Sequence, residues 1–433
     1  MLQPPLESAI NHHPPPAYAG TNGTGCITTS VHATEDPAVS IYTGGNLTIQ
    51  GFVESEGSMV VEGNVTGARS AMAGKVMWGM DYNPPANATM MAVGGNIATQ
   101  DSAWTSGNIR AGGTVSNKMF IATEGTLKAH LQSRGIDPNA KSGNMTYLES
   151  YMRYAYPEQK NAKILQKLGK TNALKVDMDG DGTLESDFNN HVIKSLIPLS
   201  DRLNSMSSTG SITFEKASDV LNYGFESIKD SQWLTITKEG RIVFTGDGKK
   251  HVQVFRLDLN KLDAAQAKLK NLQWSLDFRN IPDGQAIVVN VEGETDYKWN
   301  PGWRVWVNKV DHTSKVNDNG VALSRFKDIA SRLMWNFPHL TRLNLAAAHL
   351  DAVKGATTGV YMNGNSKISN AVLFPGSILI PRGDLYDVAD TNGRLLIGKN
   401  LTLNVWEHHN IAWTGFDEPQ CFALQGNTKA SLL

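Results

Sequence analysis

A short unit of glycine, asparagine and a β-prone run recurs near both ends of this chain and limits the folds open to it. The unit reads Gly44-Gly45-Asn46-Leu47-Thr48-Ile49 and Gly94-Gly95-Asn96-Ile97 near the amino end, and Gly398-Lys399-Asn400-Leu401-Thr402 near the carboxyl end. Glycine and asparagine tolerate positive φ, and a short β-branched run suits a strand, so each unit predicts a tight corner followed by one rung. Its presence at both ends predicts that the two ends build one object.

Stacked rungs of this kind form a β-solenoid. We therefore predict a mainly β fold: a right-handed β-solenoid or β-helix-like scaffold with an α-helical insertion. The intervals between the units are irregular, which argues against a strict repeat. A Gly-rich β-sandwich is the alternative fold.

Composition excludes some classes of function. Forty lysines and arginines against 41 acidic residues leave a net charge of −1 over 433 residues. Such a balance gives no global attraction to nucleic acid or to an anionic membrane, so no nucleic-acid partner is expected. Forty glycines and a charged fraction of 19% favour an extended, turn-rich extracellular architecture. Because no apolar window is long enough, we expect no direct membrane span, and neither a signal peptide nor an anchor is visible.

Changes in pattern along the chain predict five segments. They are a disordered lead-in at 1–34, a first β block at 35–126, a helical insertion at 127–206, a second β block at 207–420 and a tail at 421–433. Apolar spacing predicts three helices. The first opens after Pro157 and carries Ile164, Leu165 and Leu168 before Gly169; the second runs from Ser186 until Pro198 ends or kinks it; the third spans Ser324 to Met334.

Five ordered motifs resemble the choice-of-anchor A domain of bacterial secreted and surface proteins. Gly44-Gly45-Asn46 and Gly94-Gly95-Asn96 match its GGN corners, and Trp335 to Pro338 match its WNFP. Val289-Asn290-Val291-Glu292-Gly293 corresponds to its INVSG, Gly376 to Asp384 to its GSILAPNAD, and Glu407 to Gly415 to its EFHNYPFTG, the last two with substitutions. The resemblance covers residues 38–416 except the insertion. It implies an exported, elongated, adhesive domain without known catalytic residues, carried on many different anchors.

An acidic loop in the helical insertion has the spacing of an EF-hand-type calcium site. Carboxylates at positions 1, 3 and 5, a glycine at 6 and a carbonyl at 7 supply the oxygens that Ca²⁺ requires. Position 12 holds Phe188 instead of the bidentate Glu, so a solvated acidic turn is the alternative. The expected ligands of a structural Ca²⁺ are Asp177, Asp179, Asp181, Thr183, Glu185 and Asp187, with Gly182 at the turn.

The chain has two cysteines, Cys26 and Cys421, one near each end. A disulfide between them would close almost the whole chain, at a stability gain of roughly 4–5 kcal/mol under the chain-entropy model. The pair is a disulfide candidate in an oxidising compartment. Two unrelated buried thiols are the alternative, which is favoured in a reducing compartment.

Three further groups of residues are candidate ligand contacts with a structural alternative. Arg382-Gly383-Asp384 is a tripeptide that integrins bind, although a match of three residues is common by chance. Trp299, Trp303 and Trp306 surround the Pro301-Gly302 turn and could stack on a sugar, although core packing is the favoured interpretation. His408 and His409 are expected to make ordinary hydrogen bonds rather than bind metal.

We expect an extracellular bacterial surface module, non-enzymatic and adhesin-like, that binds a host matrix protein, a glycan or a cell-surface ligand. No nucleophile elbow, phosphate loop, zinc-type spacing or dinucleotide fingerprint occurs in the sequence. One alternative is a β-helix carbohydrate-active enzyme, for which Asp277, Glu292 and Glu294 are not convincingly paired. The other is an ice- or crystal-binding solenoid, for which the threonines are too irregularly spaced along the sequence.

Overall fold

The computed structural model describes most of the chain. The described residues are 18–19, 24–31, 39–51, 53–67, 71–74, 87–152, 161–177, 181–184, 186–217, 239–270, 272–302, 304–313, 320–345, 374–404 and 407–423. They divide into two compact units, one of Met1–His32 with Gly415–Leu433 and one of Ala33–Thr414.

The first unit is a three-stranded antiparallel sheet. Its strands, in spatial order, are β1 Tyr18–Ala19, β2 Thr24–Val31 and β36 Phe416–Ala423. The prediction of a disordered lead-in is therefore wrong for residues 24–31, and β36 crosses the predicted start of the tail at 421. The strand was missed because its hydrogen-bonding partner lies at the far end of the chain.

The second unit is built from many short strands. Before the insertion they are β3 Val39–Thr43, β4 Leu47–Ile49, β5 Val53–Glu56, β6 Ser58–Val61, β7 Val65–Gly67, β8 Ala71–Gly74, β9 Thr89–Val93, β10 Ile97–Thr99, β11 Ala103–Thr105, β12 Asn108–Ala111 and β13 Met119–Ile121. After it they are β19 Ser211–Lys216, β20 Glu239–Thr245, β21 Gln253–Asp258, β22 Gln273–Arg279, β23 Ile287–Glu292, β24 Asp296–Trp299, β25 Val305–Val307, β26 Val310–Asp311, β27 Leu333–Asn336, β28 Arg342–Leu345, β29 Phe374–Pro375, β30 Ser377–Ile380, β31 Asp384–Asp387, β32 Thr391–Asn392, β33 Leu395–Ile397, β34 Leu401–Leu403 and β35 Glu407–His409.

Three sheets form the scaffold, and all pairing within them is parallel, which confirms the predicted β-solenoid. The first sheet also includes β16 Ile164–Leu165. A sandwich would pair neighbouring strands antiparallel. The first sheet has the order β16-β12-β9-β6-β3-β33-β30-β27-β23-β21, the second β10-β7-β4-β34-β31-β28-β24, and the third β13-β11-β8-β5-β35-β32-β29.

The chain enters this stack in its middle. The rung of β3, β4 and β5 is followed by rungs that stack away to one end of the solenoid, as far as β12 and β13. The chain then resumes at the other end with β21 and winds back until β33, β34 and β35 pair with β3, β4 and β5. The prediction that both ends build one object is confirmed.

Apolar side chains of successive rungs stack inside the solenoid. Along a strand, alternate residues point to opposite faces, so a three-residue rung can bury its first and third side chains and present the second outward. Leu47 and Ile49 are buried and Thr48 between them is half-buried. Further inward positions form one continuous core, which includes Ile41, Met59, Val61, Val65, Ile97, Leu385, Leu395, Ile397, Leu401 and Leu403.

A second sheet system lies at the end of the solenoid that begins with β21. The order of this end sheet is β19-β20-β22-β25-β26, with β20, β22 and β25 parallel. Phe244 of β20 stacks on Phe278 of β22 and contacts Trp335 of the solenoid edge-on. These aromatic contacts join the end sheet to the solenoid core.

Helices connect and cover these sheets. They are α1 Glu124–Ser133, α2 Tyr147–Met152, α3 Lys170–Ala173, a π-helical turn Val192–Leu196 that continues into α4 Ile197–Ser205, α5 Leu259–Lys268 and α6 Gly320–Arg332. The insertion also holds two small antiparallel pairs, β14 Lys141–Ser142 with β15 Met145–Thr146, and β17 Lys175–Val176 with β18 Ser186–Asp187.

The three predicted helices are only partly correct. Ile164 and Leu165 are not helical, because they form β16, which pairs with β12 at the edge of the first sheet; residues 153–160 lie outside the described residues. Pro198 does not end a helix; it lies in the first turn of α4, where the π-helical turn passes into α-helix. Helix α6 ends at Arg332, because Met334 belongs to β27 between β23 and β30.

Candidate functional site

The middle residues of the second-sheet strands form a straight outward row. From one end of the sheet to the other, the row is Lys298, Asn344, Tyr386, Thr402, Thr48, Thr66 and Ala98. Thr66, Ala98 and Lys298 are exposed, and the other members are half-buried. From Tyr386 to Ala98 the row carries no charge.

Three threonines are neighbours at the centre of this row. Thr402 pairs with Thr48, and Thr48 pairs with Thr66. The Oγ1 atoms of Thr48 and Thr66 are 3.4 Å apart. Adjacent strands of a sheet lie about 4.7–4.9 Å apart, so the row presents hydroxyl groups at a regular spacing.

An exposed asparagine ladder runs beside the threonine row. The Oδ1 of Asn400 accepts the backbone N–H of Asn46 at 3.0 Å, and Asn46 accepts that of Asn64 at 2.8 Å. Asn64 likewise accepts from Asn96, and Asn96 from Thr114, both at 2.8 Å. Each side chain therefore satisfies a corner N–H of the next rung, which fixes the stacking of the corners. We call the asparagine ladder together with Tyr386, Thr402, Thr48, Thr66 and Ala98 the hydroxyl face.

Glycines let the corners of this ladder approach closely. A Cβ at Gly63 would lie 2.5 Å from Asn46 Oδ1 and 2.6 Å from Gly45 O. A Cβ at Gly45 would lie 2.7 Å from Asn400 Oδ1. The glycine-asparagine unit is therefore the signature of a stacked corner, with glycine giving room to the asparagine of the rung before it.

The first sheet is covered by the π-helical turn and α4. Ser200 Oγ donates to Asn336 Oδ1 at 2.6 Å, and Asn290 Nδ2 donates to Leu203 O at 2.9 Å. Further along the sheet, Tyr42 packs against Phe188 and against His191. These contacts occupy the outer side of the first sheet.

The third sheet is covered at both of its ends. Trp104 of β11 clusters with Ala122 and Leu127 of the α1 region. At the middle strand, Asn410 N donates to Glu56 Oε2 of β5 at 3.0 Å. At the other end, α6 packs against β29, and Arg332 O of α6 accepts from Trp413 Nε1 at 3.0 Å. Of the three faces of the solenoid, the second sheet thus offers the long outward row described above.

A column of three carboxylates crosses the third sheet and was not identified from the sequence. Glu407 is the register partner of Glu54, and its backbone N–H donates to Asp390 Oδ1 at 3.0 Å. Burial, and after it the charges of Glu407 and Asp390, raise the pKa of Glu54 to about 8. The Glu54 carboxyl therefore keeps its proton at neutral pH in the folded chain.

The two histidines of the closing motif make the ordinary hydrogen bonds expected of them. His408 Nδ1 lies 2.8 Å from Thr391 Oγ1, and His409 Nδ1 lies 2.8 Å from Asn392 Oδ1. Both rings are fully buried. Burial lowers the pKa of His408 to about 3, with His409 as a further cause, so this ring is neutral.

Only part of the acidic loop of the insertion lies within the described residues. Asp177 is buried, and its Oδ2 accepts the Gly182 N–H at 2.9 Å. Asp181 Oδ1 accepts from Thr183 N, and Asp187 Oδ1 from Asn189 N. Asp179 and Glu185 lie outside the described residues. Among the residues that the structure describes, no three acidic, histidine or cysteine side chains have the arrangement of a metal site.

The flanks of this loop differ from the predicted helix-loop-helix. Lys175–Val176 pairs antiparallel with Ser186–Asp187, so a short β ribbon closes the loop. The preceding helix α3 has only four residues. The ribbon forms because Phe188, directly after it, is buried and donates its backbone N–H to Leu174 O.

The Arg382-Gly383-Asp384 tripeptide forms a rung corner rather than a projecting loop. Arg382 forms an ion pair with Asp201 at 3.0 Å and donates to Pro338 O at 3.0 Å. Asp384 begins β31, and its Oδ1 accepts the N–H of Asn400, the first member of the asparagine ladder, at 2.9 Å. These contacts give Arg382 and Asp384 structural roles.

The two described tryptophans of this group, Trp299 and Trp306, are core packing residues, which is the interpretation that the sequence favours. Trp299 is fully buried, donates to Pro301 O and contacts Trp335 and Phe374. Trp306 is 4% exposed, donates to Glu239 Oε1, and lies between the guanidinium groups of Arg241 and Arg304 at 4.5 and 4.3 Å. Trp303 lies outside the described residues.

The hydroxyl face was missed because the threonines were judged by their spacing in the sequence. Winding from the middle of the stack makes Thr402 and Thr48 neighbours although they lie at opposite ends of the chain. The signal that could have revealed them is the shared unit Asn-x-Thr at Asn46, Asn64 and Asn400.

A comparison with family models identifies an adhesive type of domain. A search of the curated proteins found no match. One solved structure aligned with the chain is an ice binding protein from an Antarctic biological consortium, with 8% identity over 89% of this chain and 91% of that chain. Its TM-score of 0.27 supports no conclusion about function. A family model described as "Putative Ice-binding-like adhesive domain" matches residues 40–410, and this chain therefore belongs to that family.

Proposed function

We propose that this chain is a non-enzymatic adhesive domain that attaches to an external surface through its hydroxyl face. The observation that carries the proposal is the register of Thr402, Thr48 and Thr66 on the outward row of the second sheet. The family match to an adhesive domain supports attachment as the function. The resemblance to choice-of-anchor A domains adds an extracellular location on a bacterial surface.

The chemistry of the hydroxyl face favours a neutral polysaccharide as the ligand. Its central members offer hydroxyl and amide groups and carry no charge, so they match uncharged hydroxyl groups better than a charged protein patch. The parallel strands hold these groups rigidly, so little conformational entropy is lost on binding. A matrix protein or another cell-surface ligand is an alternative outcome of the test.

The paired state of the candidate catalytic carboxylates supports a non-enzymatic function. Asp277 lies on the end sheet and accepts from Arg279 at 2.7 and 3.0 Å. Glu292 ends β23 on the first sheet and pairs with Arg256 at 3.3 Å. These two carboxylates lie on different sheets, whereas glycoside hydrolysis needs a facing pair.

Charged substitutions on the hydroxyl face test this proposal. We expect wild type to be retained on cellulose or chitin within a panel that also holds collagen and fibronectin, and Thr48→Lys with Thr66→Lys to reduce retention at least tenfold. Thr213→Lys is the matched control, because Thr213 is an exposed strand threonine on the end sheet. Absence of binding to every surface, or equal binding by the double variant, would reject the proposal.

Ice binding is a second candidate that the threonine row favours. The three threonines stack in register, so the sequence-based objection that they are too irregular does not apply to them. A rigid row of hydroxyl groups could order water at a crystal surface. Thermal hysteresis that is lost in Thr48→Lys with Thr66→Lys and kept in Thr213→Lys would select this candidate over a polysaccharide.

A structural Ca²⁺ in the acidic loop is also proposed. The bond between Asp177 Oδ2 and Gly182 N supports it, because it holds the first carboxylate and the turn glycine together before any cation arrives. Asp177, Asp181 and Thr183 would supply oxygens, with Asp179, Glu185 and Asp187 completing the set. The cation would relieve repulsion among these carboxylates and stiffen the ribbon of β17 and β18.

A further inference from the structure

The two cysteines of the chain lie opposite one another in the terminal sheet. Strands β2 and β36 pair antiparallel from Thr24 with Ala423 to Val31 with Phe416, without a shift in register. Within this ladder Cys26 is the direct partner of Cys421. Two cysteines at opposite ends of a chain of 433 residues are thus brought to one position.

Backbone pairing places these residues within the span of a disulfide. Directly opposed residues of an antiparallel pair have Cα atoms about 4.5 or about 5.5 Å apart, depending on the hydrogen-bonding site. Disulfides span Cα distances of about 4.4–6.8 Å. We infer that Cys26 and Cys421 form a disulfide when the chain is in an oxidising compartment.

The bond forms by ordinary thiol–disulfide exchange. One cysteine thiolate attacks a sulfur of an oxidant that is itself a disulfide, which forms a mixed disulfide and releases the first thiol of the oxidant. The second thiolate then attacks the protein sulfur of the mixed disulfide and releases the second thiol. The protein loses two protons and two electrons, and the oxidant leaves as its two thiols. Reducing compartments would reverse the reaction, so the bond belongs to an exported chain.

The bond has a mechanical consequence for an attached domain. It joins the segments just before and just after the family-matched region 40–410. A pull on the chain beyond Cys421 would then be shared between β36 and β2 instead of peeling one strand from the other. This consequence depends on the proposed adhesive function, whereas the bond itself does not.

Mass spectrometry of the full chain equilibrated in a glutathione redox buffer tests the inference. We expect intact monomer that lacks two hydrogens, does not react with iodoacetamide under denaturing conditions, and yields one linked peptide pair holding Cys26 and Cys421. Two alkylated thiols, or a disulfide between two chains, would overturn it. Neither result bears on surface binding, so the adhesive proposal is judged separately.

Shifted cysteine pairs test the register on which the inference depends. Ile27 pairs with Gln420 in the same ladder. In a Cys26→Ser and Cys421→Ser background, Ile27→Cys with Gln420→Cys should cross-link as monomer. Cys26→Ser with Ile27→Cys, which leaves Cys421 out of register, should cross-link at least tenfold more slowly. Equal rates for the two designs would contradict the register.

Discussion

At the residue scale, the corners of the ladder need glycine because the asparagine of the preceding rung lies where a Cβ would be. We expect Gly63→Ala to destabilise the fold by about 1–3 kcal/mol, the usual cost of overpacking. The new Cβ would lie 2.5 Å from Asn46 Oδ1 and 2.6 Å from the backbone oxygen of Gly45, and a backbone atom cannot rotate away. Urea unfolding gives the change in the free energy of unfolding.

Gly125→Ala is the control for this substitution. Gly125 lies in α1, and a Cβ there would have no other heavy atom within 4 Å. Alanine costs less than glycine inside a helix, so this variant should be as stable as wild type or slightly more stable. An equal loss in the free energy of unfolding for both variants would show that the ladder does not cause the destabilisation by Gly63→Ala.

The raised pKa of Glu54 predicts that stability falls as pH rises from about 4.5 to about 8. The folded chain keeps this carboxyl protonated up to about pH 8, whereas its ordinary pKa is 4.5. Between these values the folded state binds more protons than the unfolded state. The stabilisation is therefore fully present below about pH 4.5, declines as pH rises, and is gone above about pH 8. Glu54→Gln should remove this part of the pH dependence, measured as its stability difference from wild type at pH 5 and pH 8.

The lowered pKa of His408 acts in the opposite direction, so only the difference between variants is informative. A histidine that stays neutral in the fold stabilises above its unfolded pKa, and this stabilisation is lost as pH falls towards 3. Glu294 is exposed, so Glu294→Gln serves as the control, and its stability should follow the wild-type pH curve. If Glu54→Gln follows that curve as well, Glu54 does not carry the dependence.

Single residues could be predicted from the sequence where the cause is local. Glycine, asparagine and strand propensity were enough to predict the corners at Asn46, Asn96 and Asn400, but the expected reason was wrong. None of the glycines or asparagines of these corners has a positive φ, and the glycines instead allow the rungs to approach closely. The ladder between them was not predicted, because it depends on which rung stacks on which. The same limit applies to Asp384, whose hydrogen bond to the Asn400 N–H depends on the stacking of β31 beside β34.

At the element scale, short strands were predicted well and helices less well. Rungs such as Leu401–Leu403 carry glycine or asparagine just before them and a local apolar alternation. Ile164 and Leu165 have helical spacing, yet the open edge of β12 takes them as a strand partner. The edge strand of a sheet has unpaired backbone groups that can bond to a distant segment of the chain, and apolar spacing does not reveal which segment that is.

Calcium binding is the element-scale prediction for the acidic loop. If Asp177 and its neighbours hold Ca²⁺, calorimetry should show saturable binding, and the melting temperature should rise in Ca²⁺ relative to chelator. Ligand linkage gives about 2.7 kcal/mol at a hundredfold excess over Kd. Asp181→Asn should weaken binding, while Asp258→Asn in the cap of α5 should not. If wild type shows neither heat of binding nor a shift in melting temperature, the loop is an acidic turn that does not bind Ca²⁺.

At the scale of the whole molecule, the winding order decides which residues share a face. The chain starts in the middle of the stack, leaves by one end and returns from the other, so β34 lies beside β4. Composition and motif order predicted a solenoid made from both ends, but they could not predict this junction. The junction adds Thr402 and Tyr386 to the row that Thr48 and Thr66 begin, and the sequence alone did not reveal this longer face.

Hydroxyl-radical footprinting of the surface-bound protein tests the hydroxyl face most directly. Tyr386 lies in the outward row next to Thr402, while Tyr147 is equally half-buried but belongs to the helical insertion. We predict that oxidation of Tyr386 falls severalfold when the chain is bound to the surface that retains it, with Tyr147 unchanged. Equal oxidation of Tyr386 in the free and bound states would contradict attachment through this face.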